Sequence, residues 1–128
     1  MPTHRIQRIW QDAGNESVSQ QEAVVADLET NLDVAIADGQ TAKQINVAID
    51  ISALKLLFIS SDQDVTIETN NSSTPDDTIE ITANVPLIWT PDCGFACPLT
   101  EDVAAMYLAN ASGEEAAFKV RLLLDATP

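Results

Sequence analysis

Apolar and polar residues alternate along much of this chain. Leu32, Val34 and Ile36 are separated by Asp33 and Ala35, Ile79 and Ile81 by Glu80, and Phe118, Val120 and Leu122 by Lys119 and Arg121, while Val65-Thr66-Ile67-Glu68-Thr69 repeats the pattern with β-branched residues. A period of two puts one set on each face of a strand, so each segment predicts a half-buried β-strand. Leu56 to Ser60 is a nearly continuous apolar run suited to a buried strand. Leu87-Ile88-Trp89 resumes a strand broken by Pro86, which cannot donate to a ladder and so predicts an edge. On these faces Phe58, Ile67, Ile81, Leu108 and Val120 are the expected core.

Turn formers set the boundaries. Asp38-Gly39 predicts a hairpin, loosened by Gln40 to Lys43, between Leu32–Ile36 and the strand of Ile45, Val47 and Ile49. Asn110-Ala111-Ser112-Gly113 predicts another, between Tyr107–Ala109 and the strand from Phe118. Asp50 to Leu54 forms a corner, and Asp102 to Met106 echoes its sequence. Asn70 to Asp77 holds only loop formers, and Thr90 to Pro98 is a long irregular loop. Thr100-Glu101-Asp102 has the chemistry of a helix start, but the hairpin signal after Ala109 favours a strand. Gln20 to Leu28 fits a helix by spacing, whereas Val18, Val24 and Val25 favour a strand. Residues 1–15 read as an N-terminal arm, extended or mobile, ahead of one domain over 16–128. The fold class is all-β: a single β-sandwich, plausibly jelly-roll-like, of about eight short strands.

Composition narrows the function. The 128 residues fit one domain. Twenty Asp and Glu against six Lys and Arg give a formal charge of −14, which repels phosphate backbones and argues against a nucleic-acid partner. No apolar stretch approaches the length of a membrane span, and no export signal is visible near the N-terminus. Neither a membrane nor a nucleic acid is expected as a partner.

Catalytic chemistry finds little support. His4 is the single histidine, so a Ser or Cys nucleophile lacks its usual base. Cys93 and Cys97 have no Lys or Arg beside them to lower a thiol pKa, and Asp92 acts the other way. Gly94 permits a local disulfide between them, and two free thiols are the other possibility. Four zinc ligands are not at hand. Asp62, Asp64, Asp76 and Asp77 have oxygens suited to calcium, but Asp62-Gln63-Asp64 lacks the glycine and distal glutamate of an EF-hand loop, and turn-forming acids are the preferred reading. The glycines are scattered, so no phosphate loop forms. The expectation is no enzyme, no cofactor and no metal.

The segment Asp50-Ile51-Ser52-Ala53-Leu54 through Asn70, the closing stretch Asp102 to Asn110, Ala111-Ser112-Gly113 and Phe118 to Asp125, and Pro86-Leu87-Ile88-Trp89 between them, resemble a small protein recurrent in the structural gene clusters of tailed bacteriophages. The likeness rests on strand and turn patterns, and the cysteine loop is not part of it. It implies a virion structural protein, a capsid decoration or cement subunit or another head or tail component, assembled in the host bacterial cytoplasm. Its partners would be other virion subunits, either further copies in a homo-oligomer or a capsid or tail protein. An alternative is a carbohydrate-binding sandwich with Trp89, Phe95 or Tyr107 stacking on sugar rings.

The arm supplies the candidate contact residues. Residues 1–11 contain Arg5 and Arg8 and no acid, so they carry +2 while the remainder carries −16 of the net −14. Arg5, Arg8, Ile9 and Trp10 combine charge with an apolar anchor, and Arg and Trp commonly dominate interfaces. Docking on a neighbouring subunit is one reading of the arm; a first strand packed in its own sandwich or a frayed terminus is the other.

Overall fold

The computed structural model describes residues 2–11, 13–14 and 16–125; Met1, Asp12 and Asn15 of the expected arm, and residues 126–128, lie outside them. Ten strands occur among the described residues: β1 (Thr3–Gln11), β2 (Ser17–Val25), β3 (Leu28–Ile36), β4 (Lys43–Ile49), β5 (Leu54–Ser61), β6 (Val65–Thr69), β7 (Thr78–Ile81), β8 (Leu87–Trp89), β9 (Val103–Ala109) and β10 (Ala116–Leu124). A single 3₁₀ turn, Ile51–Ala53, interrupts them.

From β3 onward the pairings are nested. β3 pairs with β10, β4 with β9, β5 with β8 and β6 with β7, all antiparallel. Such a set describes one long double-stranded ribbon folded back at the β6–β7 connection. Two further pairings, β10 with β5 and β6 with β9, roll the ribbon into sheets of order β3-β10-β5-β8 and β4-β9-β6-β7. This is a jelly-roll sandwich of eight strands. Its core lies between the sheets, with Ile36, Ile59, Phe118 and Val120 from one and Ile49, Ile67, Ile81 and Leu108 from the other.

Rolling the ribbon corrects two expected hairpins. β3 and β4 lie in facing sheets, and so do β9 and β10. Asp38-Gly39 and Asn110 to Gly113 are therefore corners that cross the sandwich. The turn chemistry is as expected, since Gly39 and Gly113 have φ of +80° and +95°, in the left-handed region that glycine alone adopts freely. The strand expected over Tyr107–Ala109 starts earlier, and the helix-like chemistry at Thr100 does not prevail: Val103 opens β9 directly, because β4 and β6 flank it on both sides and take up its backbone groups. The echo between Asp50–Leu54 and Asp102–Met106 is no structural repeat, yet the two segments meet, with the Ile51 N–H donating to Asp102 Oδ1 at 3.0 Å.

Corners are clasped by acids and amides. Asp62 Oδ1 accepts from the Ala117 N–H (2.7 Å) and Asp64 Oδ1 from the Ala83 N–H (2.8 Å). Asp76 accepts from the Asn70 amide (2.7 Å), and Asp77 takes the N–H and the hydroxyl of Thr100, both at 2.8 Å. The four acids considered for calcium thus bind backbone and side-chain donors.

Phe58 corrects the expected core. In β5, Leu57, Ile59 and Ser61 point into the sandwich, so Leu56 and Phe58 point out of it, and Phe58 is half-buried. The other four expected core residues are buried. As expected, β8 is an edge strand.

Candidate functional site

The outward face of the β3-β10-β5-β8 sheet is covered by β1 and β2, which pair only with each other. The segment read as an arm is thus the first strand of a hairpin, and the ambiguous segment after it is the second. Val18, Val24 and Val25 favour a strand, and pairing with β1 decides for it.

Pairing fixes which side chains face the sheet. His4 lies opposite Val24, Ile6 opposite Glu22, Arg8 opposite Gln20 and Trp10 opposite Val18, and cross-strand partners share a face. Ile6 and Val24 are buried with Ala26 against Leu56 of β5 and Leu123 of β10, and Ile88 of β8 packs alongside. Polar contacts extend this seat to both sheet edges. His4 Nε2 is 3.3 Å from Glu29 Oε1 on β3, and the hydroxyl of buried Thr90, just past β8, donates to Glu22 Oε2 at 2.9 Å. The hairpin therefore crosses the sheet from its β3 edge to its β8 edge.

Burial fades along the crossing. Ile6 and Val24 are 8% and 7% exposed; on the same face Trp10 and Val18 are 55% and 60% exposed. Four residues of strand separate Ile6 from Trp10, about 13 Å at about 3.3 Å per residue. Since Glu22, opposite Ile6, already reaches Thr90 at the edge, the Trp10–Val18 pair overhangs the sheet. Ile9, on the other face, is also exposed.

Arg8 links the seated and overhanging parts. Its Nη1 donates to Gln20 (2.7 Å) and Glu22 (3.5 Å), while Nη2 is buried without a hydrogen-bond partner. Of the expected contact residues, then, Arg8 and Trp10 share the sheet-facing side, and Arg5 and Ile9 occupy the opposite one.

Under the free edge of β1 runs a groove of about 610 Å³. Leu56, Phe58 and Ile88 give it an apolar lining, and Arg5, Lys119 and Arg121 line it with cationic groups beside His4. Arg121 is held by Asp33, with Nη2 3.0 and 3.3 Å from the two carboxylate oxygens. Among the described residues Arg5 and Lys119 have no ion-pair partner. Sequence reasoning placed Lys119 on the outer face of its strand but gave no sign that the hairpin would bring Arg5 over it.

The loop after β8 carries the two cysteines as free thiols. Burial, reinforced by the nearby negative charge of Asp77, raises the Cys97 pKa, which suppresses its thiolate. Trp89 packs against the core and its indole N–H donates to the Phe95 carbonyl at 2.9 Å, while the Phe95 ring is 79% exposed.

No protein-family model and no curated protein matches the sequence. Among solved structures the chain is similar to a protein described under the words "Bacillus endospore appendages form a novel family of disulfide-linked pili", at 17% identity and a TM-score of 0.38, over 77% of this chain and 88% of that one.

Proposed function

We propose that this chain is a structural subunit of a tailed-phage virion, a capsid decoration or cement protein or another head or tail component, that works by protein–protein assembly and not by catalysis. The setting comes from the resemblance in the strand and turn pattern. The mode of action rests on one observation: the face that seats the hairpin continues past the sheet edge into a bare Trp10–Val18 pair.

A hairpin end whose Trp10 and Val18 are more than half exposed on its sheet-facing side is suited to a neighbouring subunit. Covering Trp10, Val18 and Ile9 removes on the order of 250 Å² of apolar surface from water, worth about 6 kcal/mol before the cost of association. Trp10 would act as the anchor. Arg8 would support it from the adjacent row, with Ile9 beside it on the outer face.

Two measurements test the reading. Particles purified from the source phage on a density gradient should contain the chain, and Trp10→Ser with Val18→Ser should leave a folded protein that no longer incorporates. Recovery of the chain only in the soluble fraction, or unchanged incorporation of the double variant, refutes it. Point substitution is preferable to removing the whole arm, because deletion uncovers Leu56 and Leu123.

A further inference from the structure

Charge is distributed unequally between the two outer faces of the sandwich. Four of the six Lys and Arg residues, Arg5, Arg8, Lys119 and Arg121, lie on the hairpin side. The outward face of the β4-β9-β6-β7 sheet carries Glu68 and Glu80 among Gln44, Asn46, Thr66 and Tyr107, and no Lys or Arg. No strand covers that face among the described residues. A shallow depression of about 350 Å³, lined by Asp64, Glu80, Thr66 and Thr82, opens beside it.

A cationic groove stands out in a protein of charge −14. It attracts anions, and the most concentrated source of carboxylates near any copy in an assembly is another copy. Among the described residues Arg5 and Lys119 lack carboxylate partners, while Glu80 is exposed on the other side of the sandwich. The two faces differ, so a contact between them is heterologous, and repetition gives a ring or an open stack, whereas a two-fold dimer would set like charge against like.

We propose that copies of this chain associate head to tail, the groove between β1 and the β5–β10 surface of one copy receiving the acidic outer face of the β6–β7 pair of the next. This rests on the assembly reading above and names a second copy as one partner. The hairpin end, with its apolar Trp10–Val18 pair, remains a separate contact.

Sedimentation velocity on the full-length protein tests it by charge reversal. The wild-type chain should self-associate at about 0.1 M salt and lose this at about 1 M, as the screening length falls from about 10 to about 3 Å. Lys119→Glu and Glu80→Lys, both at exposed positions, should each weaken association roughly tenfold or more. Mixing the two variants should give every groove a face of opposite charge and restore the series with the variants alternating, and both reversals in one chain should restore it as well. A monomeric wild type at low salt, a single reversal without effect, or no rescue by the doubly reversed chain overturns the proposal. Virion incorporation that is lost with Trp10→Ser and Val18→Ser but indifferent to both charge reversals would overturn the head-to-tail contact while leaving the assembly reading standing.

Discussion

Asp38 Oδ1 accepts a hydrogen bond from the N–H of Gly113 at 3.0 Å, joining two corners 75 residues apart in the chain. Beside it Asn110 is fully buried and completes the join. Its amide donates to the carbonyls of Ile36 (3.0 Å) and Glu114 (2.7 Å), its oxygen accepts from the N–H and hydroxyl of Ser112, and its backbone exchanges hydrogen bonds with Gly39 and Gln40. Nested pairing makes this contact possible, since the β3–β4 and β9–β10 corners belong to the same end of the ribbon.

Asn110→Ala should therefore be among the costlier polar substitutions. It strips partners from the buried Ile36 carbonyl and from the Ser112 and Glu114 loop groups, and each unsatisfied buried polar group costs about 1 to 3 kcal/mol. A loss of about 3 kcal/mol in urea unfolding is expected, against about 1 kcal/mol for Asp38→Ala at the exposed rim of the same join. Equal losses for the two would show that the buried amide is not the centre of the clasp.

The two faces of the covered sheet can be told apart with phenylalanines. Phe118 is buried between the sheets, whereas Phe58 is half-buried on the outer face and lines the groove. Phe118→Ala should cost about 3 to 5 kcal/mol, and Phe58→Ala less than about half of that, because a rim position can relax and rehydrate. Thermal or urea denaturation of the pair of variants decides it.

These residues also mark how far the sequence could be read. Alternation at β3, β6, β7 and β10 identified strands and their inward faces, since one face of each meets the core and the other meets water. At β5 the same method failed for Phe58. Both faces of that strand are covered, by the second sheet and by the hairpin, so Leu56 to Ile59 is apolar on both sides and has no period to read. Asp38-Gly39 and Asn110 to Gly113 correctly announced turns, but a turn signal is local and does not say whether the chain returns within its sheet or crosses to the facing one. For the candidate site, Arg5, Arg8, Ile9 and Trp10 could be selected by residue type. The grip of the hairpin, the groove beneath it and the meeting of Arg5 with Lys119 depend on Ile6 and Val24 finding Leu56 and Leu123, contacts spanning most of the chain.

Glu29 provides a titration handle on the hairpin. A hydrogen bond from Asn31 lowers its pKa most, desolvation opposes it, and His4 and Arg121 add to the lowering. Because the folded value lies below the unfolded one, the linked stabilisation is present above the unfolded carboxylate pKa and is lost as pH falls through the folded value. Carboxyl chemical shifts should place the Glu29 midpoint below that of an ordinary glutamate. Asn31→Ala should raise it, and His4→Ala should raise it less. A larger response to His4→Ala would reverse this order of causes.

The seat of the hairpin should be separable from the sandwich it covers. Ile6 and Val24 meet Leu56 and Leu123 in a cluster distinct from the main core, and the polar ties at its two ends are the His4–Glu29 and Glu22–Thr90 contacts. A small cluster held at few points opens at a lower free energy than the sheets beneath it. Ile6→Asp places a carboxylate in the apolar seat, where an unpaired charge is not tolerated, so β1 and β2 should lift together. Hydrogen exchange should then show loss of protection across β1 and β2 with protection retained in β5, β6, β9 and β10. The outer positions Leu56 and Leu123 would be newly exposed, and binding of a hydrophobic dye should rise. Global loss of protection would instead mean that the hairpin is an integral layer of the fold, and that its overhanging end is carried by a rigid element and not by one that can swing onto a neighbour.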